Sequence, residues 1–347
     1  MELVSFLPGP VALAPAVRAA LAEEPLSHRS DAFREVLARV TARLSRLTAA
    51  EHVAVMSGPG TLANDMVAAQ LSLRPGPGLV LANGEFGERL IDHARRFGLD
   101  HEVHVIPWGA SFDLTNVIRI VDEMRPAWVW ATHCETSTGV LNDLDGLRAM
   151  AQGSGALLCL DCISTIGTVA VDLEGVHLAS GTSGKGLGAC AGLALVFTDR
   201  IAQPHPRLPR SLDLGYHLAC DGVPFTLPSP LLVALDRALD TFDGPAPWDD
   251  RARRGADLRA RLARLGYQAL APERASSPAV LTIPLGPDQP AGELGHWLAE
   301  AGYLMGYQSS YLRERNWLQI CLMGDVRQPQ IDAMLRSLAR YRSALTA

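Results

Sequence analysis

The sequence has little of what marks a membrane protein or a nucleic-acid-binding protein. No apolar stretch approaches the roughly 20 residues that span a bilayer, and even the run at 189–197 is short and interrupted. The net charge is −6, and a mild acidic excess argues against a partner that presents a phosphate backbone. The first residues lack the basic start and long apolar region of a secretion signal. We therefore expect no membrane, no nucleic acid and a cytoplasmic location.

The six cysteines of the chain lie mostly in apolar or motif segments. This usage is typical of reduced thiols in a cytoplasm. Cys159 and Cys162 have a C-x-x-C spacing, which elsewhere indicates redox or metal chemistry. No second pair and no set of nearby histidines accompanies them. We therefore expect no metal site.

What the chain does contain is a regular alternation of apolar segments with helical patterns. A helix is predicted over 33–47, where apolar residues recur every three or four positions. Strands are predicted at 53–56, 79–82, 103–106, 128–132, 157–160 and 193–198. Such alternation predicts an α/β fold with a mostly parallel sheet and helices on both faces. Ligands of these sheets gather at the carboxyl ends of the strands.

A segment rich in glycine and proline at 241–248 interrupts this rhythm. Beyond it, strands at 280–284 and 317–322 alternate with helices. We therefore predict an N-terminal arm over 1–20, a large domain over 21–243 and a smaller α+β domain over 244–347.

The clearest sign of chemistry is Lys185, which is surrounded by small residues in the segment 180–188. The predicted strand at 157–160 is followed directly by Asp161. A carboxylate at a strand end and a lysine on a later small-residue loop are the pair that pyridoxal 5′-phosphate (PLP) needs. The lysine forms a Schiff base with the aldehyde, and the acid keeps the pyridine nitrogen protonated.

A third element is a glycine turn that follows the strand at 53–56. Gly58, Pro59, Gly60 and Thr61 lead into a predicted helix. The start of a helix presents unpaired N–H groups and the positive end of the helix dipole, which suits a phosphate. Helix capping is the alternative explanation for this turn taken alone. The order of phosphate loop, acid and lysine favours the cofactor.

At these residues the chain resembles the class V aminotransferases of PLP fold type I. The similar segments are SGPGT at 57–61, ANGEFGER at 82–89, THCETSTGV at 132–140, Asp161, and SGK at 183–185. The nearest branches are serine-pyruvate/alanine-glyoxylate aminotransferase and 2-aminoethylphosphonate-pyruvate transaminase. The resemblance implies a mostly parallel sheet of the seven-stranded type with a smaller C-terminal domain, and a homodimer with shared active sites.

The resemblance also implies roles for individual residues. Gly60 and Thr61 hold the cofactor phosphate, Phe86 stacks on the pyridine ring, and Thr136 contacts the ring region. Asp161 and Lys185 match the pyridine partner and the Schiff-base lysine. Thr226 matches a threonine that reaches the phosphate of the partner subunit. Gly184 departs from the family, which often has Gln or Asn there, so we expect a phosphate contact to be lost or moved to Thr182 or Ser183.

A second departure concerns the substrate. Gln319 occupies the position where the resemblance implies an arginine that binds the substrate carboxylate. A guanidinium offers two parallel charged donors to a carboxylate, and an amide does not. Either the anion is bound elsewhere or the substrate differs. Arg29 and Arg315 are the candidates for a relocated anion site, although a capped loop and a salt-bridged hairpin would also explain them.

We therefore expect a PLP-dependent transaminase that moves an amino group between a small amine or amino acid and a 2-oxo acid or aldehyde. Two alternatives stay open. One is a PLP-dependent lyase, desulfurase or carbon–carbon bond enzyme, because the fold does not fix the reaction. The other is a protein that binds PLP without turnover.

Overall fold

The computed structural model describes residues 3–220, 222–244 and 247–345, and these form thirteen strands and twelve α-helices. The strands are β1 (Val4–Ser5), β2 (His52–Ser57), β3 (Gly78–Ala82), β4 (His101–Val105), β5 (Trp128–Thr132), β6 (Cys134–Glu135), β7 (Val140–Leu141), β8 (Leu157–Asp161), β9 (Leu178–Thr182), β10 (Leu193–Thr198), β11 (Val280–Pro284), β12 (Tyr303–Leu304) and β13 (Trp317–Cys321). The helices are α1 (Pro15–Ala20), α2 (Asp31–Thr48), α3 (Gly60–Leu71), α4 (Glu85–Arg96), α5 (Leu114–Met124), α6 (Leu144–Ser154), α7 (Leu214–Ala219), α8 (Ser229–Leu239), α9 (Trp248–Arg264), α10 (Ala291–Glu300), α11 (Ser310–Arg315) and α12 (Gln328–Leu345).

A seven-stranded sheet forms the centre of the fold, in the order β2-β10-β9-β8-β5-β3-β4. Strand β10 runs antiparallel to both of its neighbours. The pairings from β9 across to β4 are parallel. The predicted mostly parallel sheet of the seven-stranded type is therefore confirmed.

Helices cover both faces of this sheet. Helices α1, α2, α5, α6 and α8 contribute buried apolar side chains to one face, and α3, α4 and α7 contribute to the other. Helix α2 shows why these segments fold as they do. Ser30 caps its start by accepting a hydrogen bond from the Phe33 N–H, and its buried residues recur every three or four positions. The helix predicted over 33–47 is thus confirmed, and it begins two residues earlier and ends one residue later than predicted.

Strand β9 was not predicted from the sequence. It consists of Leu, Ala, Ser, Gly and Thr, and small residues have little tendency to form strands. All five are buried between β8 and β10. A Cβ added at Gly181 would lie 2.9 Å from the Phe197 ring, so the neighbouring strand leaves no room for a side chain. Tertiary packing therefore overrides the weak local preference.

The C-terminal segments form a separate hydrophobic core. Strands β11 and β13 pair antiparallel, and helices α9, α10 and α12 pack around them. Phe6 and Val11, near the N-terminus, belong to the same core, and β1 pairs with β12. The domain limits at 20 and 243 stay predictions, and Pro245 and Ala246, beside the second limit, lie outside the described residues.

Several strands end at one edge of the sheet. Strands β2, β5, β8 and β9 end at Ser57, Thr132, Asp161 and Thr182. Carboxyl ends of parallel strands meet at the same edge, and this is where open α/β sheets bind ligands.

Candidate functional site

A cavity of about 220 Å³ lies at this edge of the sheet. Its lining residues come from the start of α3, the first turns of α4, the β6 region, the end of β8 and the loop after β9. They include Pro59, Gly60, Thr61, Phe86, Thr136, Asp161 and Lys185. A larger groove of about 880 Å³ elsewhere contains none of the residues assigned a cofactor or substrate role from the sequence, so its size does not make it the site.

Lys185 is half-buried on the loop that follows β9. Its Nζ donates a hydrogen bond to Ser164 Oγ at 3.0 Å and lies 5.3 Å from the centroid of the Phe86 ring. Burial lowers the pKa of this amine, while the charge of Asp161 opposes that shift. A lower pKa favours the neutral amine, which is the form that attacks an aldehyde.

The small residues around Lys185 allow close packing of its loop, in addition to leaving space for a molecule bound to the lysine. A Cβ added at Gly184 would lie 2.6 Å from the Ala191 Cα, and one at Gly186 would lie 2.5 Å from the Ile166 carbonyl oxygen. Backbone atoms cannot yield as a flexible side chain can. The glycines beside the lysine are therefore required by the close fit of this loop against its neighbours.

Asp161 is the last residue of β8 and is 6% exposed. Its Oδ1 accepts a hydrogen bond from the Ile163 N–H at 2.9 Å, and its Oδ2 accepts one from Asn64 Nδ2 at 2.9 Å. Burial raises the pKa of this carboxyl group, and the two hydrogen bonds oppose that shift. The side chain lines the cavity and has further lone pairs to offer a ligand.

Hydroxyl groups connect the lysine to the opposite wall. Ser164 Oγ accepts from Lys185 Nζ and makes a short hydrogen bond with Thr136 Oγ1. Both hydroxyl-bearing residues are buried. Thr136 was expected at the cofactor ring, whereas Ser164 was not anticipated. The available signal was its position in the turn directly after Asp161.

The start of α3 is suited to an anion. Its N-cap residue, Pro59, has no side-chain acceptor for the N–H groups of the first turn. Gly60 and Thr61 line the cavity at this point. A Cβ added at Gly60 would lie 2.9 Å from Ile163 Cδ1, so the isoleucine side chain would have to shift to make room. Unpaired N–H groups and the helix dipole together attract a phosphate.

Phe86 is held in the first turn of α4 by a buried acid. Glu135 accepts hydrogen bonds from the N–H groups of Phe86 at 3.3 Å and Gly87 at 2.9 Å. Burial raises the pKa of Glu135, and these bonds oppose the shift. Arg89 also lines the cavity, with its guanidinium 4.9 Å from the Phe86 ring centroid and an ion pair to Glu85 at 2.9 Å. The sequence did not single out Arg89.

Other predicted site residues do not line the cavity of this chain. Gly58 lies one residue before it and donates its N–H to the Gly192 carbonyl. The Ser183 hydroxyl is buried and donates to the Cys190 carbonyl. Thr226 lies beside a separate cavity of about 100 Å³.

The three candidate substrate residues also lie away from the cavity lining. Arg29 is in the exposed loop before α2. The guanidinium of Arg315 stacks on Trp108, with 3.7 Å from its Cζ to the ring centroid. Gln319 is fully buried in β13, and its Nε2 donates to the Thr136 carbonyl at 2.7 Å and to Thr282 Oγ1 at 2.8 Å. Both donors of this amide are therefore used within the fold.

The lysine content of the sequence points to the site more strongly than the motifs do. Lys185 is the single lysine among 347 residues, while the chain has 30 arginines. Any chemistry that needs a side-chain amine in this protein therefore has one place to occur.

Known proteins with similar sequences and structures include several aminotransferases. The soluble hydrogenase 42 kDa subunit of Anabaena cylindrica is 30% identical over 302 residues, covering 81% of this chain and 78% of that protein. A 2-aminoethylphosphonate–pyruvate transaminase of Pseudomonas aeruginosa is 28% identical, with coverages of 81% and 80%. The crystal structure of alanine–glyoxylate aminotransferase from Nostoc sp. matches with a TM-score of 0.89 and 26% identity, covering 98% of this chain and 95% of that one.

The sequence model of the family described as aminotransferase class-V matches residues 19–208, which is more than half of the chain. The match includes the start of α3, Phe86, Thr136, Asp161 and Lys185. Members of this family use PLP. The chain therefore belongs to the class V aminotransferases and has PLP fold type I.

Proposed function

We propose that this chain binds PLP and transfers an amino group between a small amine or amino acid and a 2-oxo acid or aldehyde. The observation that carries the proposal is one cavity lined by the only lysine of the chain, a buried carboxylate and the open start of a helix. These groups match the aldehyde, the pyridine nitrogen and the phosphate of the cofactor. The residues present therefore offer a suitable donor or acceptor to each of these three parts of PLP.

PLP, when bound, supplies an aldehyde that takes up the amino group and a ring that accepts electrons from the substrate carbon. Lys185 would hold the aldehyde through its Nζ, and as a free amine it would be placed to move a proton at the substrate carbon. Asp161 would hold a proton at the ring nitrogen. Gly60 and Thr61 would donate N–H groups to the phosphate, and Phe86 would cover one face of the ring.

Ser164 and Thr136 hold the side-chain amine of Lys185 in position through hydrogen bonds. The hydrogen bond from Lys185 Nζ to Ser164 Oγ fixes the amine at the cavity wall. Thr136 in turn holds the serine hydroxyl, so the three groups form one chain of hydrogen bonds. The amine is therefore oriented before a substrate enters.

Amine half-reactions test the proposal directly. Full-length protein loaded with PLP is mixed separately with alanine, serine, 2-aminoethylphosphonate and propylamine, without an oxo acid. We expect at least one amine to remove the visible absorption band and to leave one pyridoxamine 5′-phosphate per chain. Pyruvate or glyoxylate should then restore the band.

The same traces distinguish the other reactions. A lyase or carbon–carbon bond enzyme would cleave the amine and regain its band without any oxo acid. A protein that only binds PLP would show no change with any amine in the panel. Either result would contradict amino transfer. A released product of amine cleavage would identify the lyase, because a protein that only binds PLP releases none.

We propose that an arginine at a position other than 319 binds the anionic group of the substrate. Both donors of Gln319 are occupied, so binding a carboxylate there would break two buried hydrogen bonds. Arg29 and Arg315 are the candidates from the sequence, and Arg89 is the candidate at the cavity. Arg89 contacts one carboxylate oxygen of Glu85, through its Nε and Nη2.

Alanine variants of these three arginines test the anion site. Loss of the binding guanidinium is expected to lower kcat/KM for 2-aminoethylphosphonate at least about tenfold, because hydrogen bonds to charged groups contribute about 1.5 to 3 kcal/mol. The kcat/KM for propylamine, which has no anionic group, should change little. Arg96→Ala is the matched control, since Arg96 is an exposed arginine of α4 paired with Asp92. Three silent variants of an enzyme that turns over 2-aminoethylphosphonate would show that the anion is bound elsewhere.

We also propose a cytoplasmic homodimer with shared active sites. The dimer is supported by Thr226, which lies away from its own cavity and next to Phe225, a ring that is 39% exposed and pairs with Tyr216 at 5.8 Å. A cytoplasmic location is supported by six cysteines that are all free, as is usual in a reducing compartment. Light scattering should give twice the 37.2 kDa mass of the chain, and a monomer with full activity would contradict shared sites.

A further inference from the structure

A buried polar network lies behind the cavity, under Asp161. Asn64, in the second turn of α3, is 5% exposed, and its Nδ2 donates to Asp161 Oδ2 at 2.9 Å. Its Oδ1 accepts from Ser180 Oγ at 2.6 Å, and Ser180 is fully buried in β9. The resemblance assigns a role to neither Asn64 nor Ser180.

The sheet register explains how these three side chains meet. Asp161 of β8 and Ser180 of β9 are direct partners in a parallel pairing, so their side chains lie on the same face of the sheet. Helix α3 packs on that face and places Asn64 between them. The arrangement thus comes from three elements that are far apart in the sequence.

The ionised carboxylate only accepts hydrogen bonds, so it requires the nitrogen edge of the amide, and the Ser180 hydroxyl holds that orientation from the opposite side. The amide oxygen has no hydrogen to donate, so the serine hydroxyl must be the donor to Oδ1. The nitrogen edge of Asn64 is therefore directed at Asp161. The opposite orientation would set an amide oxygen against a carboxylate and leave the hydroxyl without its acceptor.

The carboxylate keeps an acceptor for a ligand in spite of these bonds. Asn64 uses one lone pair of Oδ2 and the Ile163 N–H uses one of Oδ1, while each carboxylate oxygen can accept two hydrogen bonds. Both bonds favour the charged form, which burial alone disfavours. The carboxylate is therefore fixed in direction and supported in its ionised state before any cofactor is present.

We propose that Asn64, oriented by Ser180, is a positioning residue that keeps Asp161 ionised and directed at the ring nitrogen of the cofactor. The inference rests on the proposed PLP function and extends it to residues behind the site. It predicts that the effect of Asn64 on the reaction is transmitted through the charge of Asp161. Asn64 also lines the cavity, but its donor is already occupied by the carboxylate.

Other charged and titratable groups surround the same carboxyl group. Lys185 and His93 face it and lower the pKa of Asp161. The thiols of Cys134 and Cys162 are also close, and burial raises the pKa of both, so they stay neutral. His93 is also hydrogen-bonded to Asp65 of α3, and Arg89 is a further cationic side chain in the lining of the same cavity.

Asn64→Leu is the main test, because leucine has a similar volume and no donor. Removing the hydrogen bond should raise the pKa of Asp161, so the acid limb of the kcat/KM profile should move upward by about one pH unit. Activity lost near neutral pH should return at higher pH. A purely structural defect would lower the whole profile without moving its limb.

Cofactor binding gives a second measurement that does not depend on turnover. The full-length Asn64→Leu protein should bind PLP about tenfold more weakly than the wild type, because the ionised acid holds the ring N–H. An analogue in which carbon replaces the ring nitrogen, 1-deaza-pyridoxal phosphate, should bind both proteins equally. The difference between the two ligands isolates the contact to the ring nitrogen.

Three further variants complete the test. Ser180→Ala should shift the limb in the same direction by a smaller amount, because the amide loses its orientation but keeps its donor. Asn64→Asp places a second carboxylate beside Asp161 and should give the largest shift. Gln70→Leu is the matched control, since Gln70 is a buried amide of α3 that bonds the Leu212 carbonyl and is not in the cavity. If Asn64→Leu does not fold, Ser180→Ala and Asn64→Asp decide the question.

Superimposable pH profiles and unchanged PLP affinity in the Asn64 variants would overturn this inference while leaving the PLP function intact. Failure of the wild-type protein to bind PLP would instead overturn the proposed function.

Discussion

Lys185→Ala is expected to abolish covalent capture of PLP and to lower kcat at least about 10⁴-fold. In the proposed reaction the amine binds the cofactor and also moves a proton, and a positioned general acid–base alone contributes about 10² to 10⁴. Alanine removes both functions. The purified wild-type protein should be yellow, and the variant should not show the visible band of the lysine-bound cofactor.

The unusual composition makes this experiment easy to interpret. Because the chain has a single lysine, borohydride reduction of the wild type should attach the cofactor to one peptide, and reduction of the variant should attach it to no side chain. Mass spectrometry of the intact protein measures this. A variant that keeps the visible band and remains sensitive to borohydride would show that Lys185 is not the attachment residue.

Ser164→Ala is the matched control for the lysine variant. It removes the hydrogen-bond partner of Lys185 Nζ but leaves the amine in place. The band should remain and turnover should fall by far less than in Lys185→Ala. A loss of equal size in both variants would indicate that the local structure, and not the amine, is the common cause.

The groups proposed to bind the cofactor directly were predictable from the sequence. Asp161 follows a buried strand, Gly60 and Thr61 begin a helix, and Lys185 lies in a run of small residues, so each carries a local signal. These positions lie together because the carboxyl ends of parallel strands meet at one edge of the sheet.

The residues that support those groups were not predictable in the same way. Asn64 reaches Asp161 across 97 positions of the chain and accepts from Ser180 across 116. Such contacts depend on the register of β8 with β9 and on the placement of α3, neither of which has a sequence signal of its own. Strand β9 itself was missed because its small residues are selected by packing.

Gln319 illustrates the limit of a resemblance. Comparison with the family indicated that an arginine was replaced, but not what the amide does. In the structure the amide connects the β6 region to β11 and β13, so it stabilises the wall of the site. The anion site must therefore be sought among arginines whose donors remain available.

Asp161→Asn is expected to leave the cofactor attached to Lys185 and to lower kcat at least about 10²-fold. Asparagine removes the negative charge opposite the ring nitrogen, and a hydrogen bond to a charged group contributes about 1.5 to 3 kcal/mol, which is roughly 10- to 100-fold in rate. The weaker electron demand of an unprotonated ring adds to this loss. Absorbance and intact mass after borohydride reduction verify attachment, and steady-state rates measure the loss.

The pH profile separates the charge of Asp161 from its shape. In the proposed reaction the ionised acid is the active form, so the wild type should lose activity as the pH falls through the pKa of Asp161, which burial raises. In Asp161→Asn no carboxyl group titrates there, so that acid limb should disappear and the low rate should stay flat. Asn64→Leu should move the same limb upward without removing it. Near-normal turnover in Asp161→Asn, with the wild-type limb retained, would show that the acid only supports the fold, and the effect of Asn64 would then need a target other than Asp161.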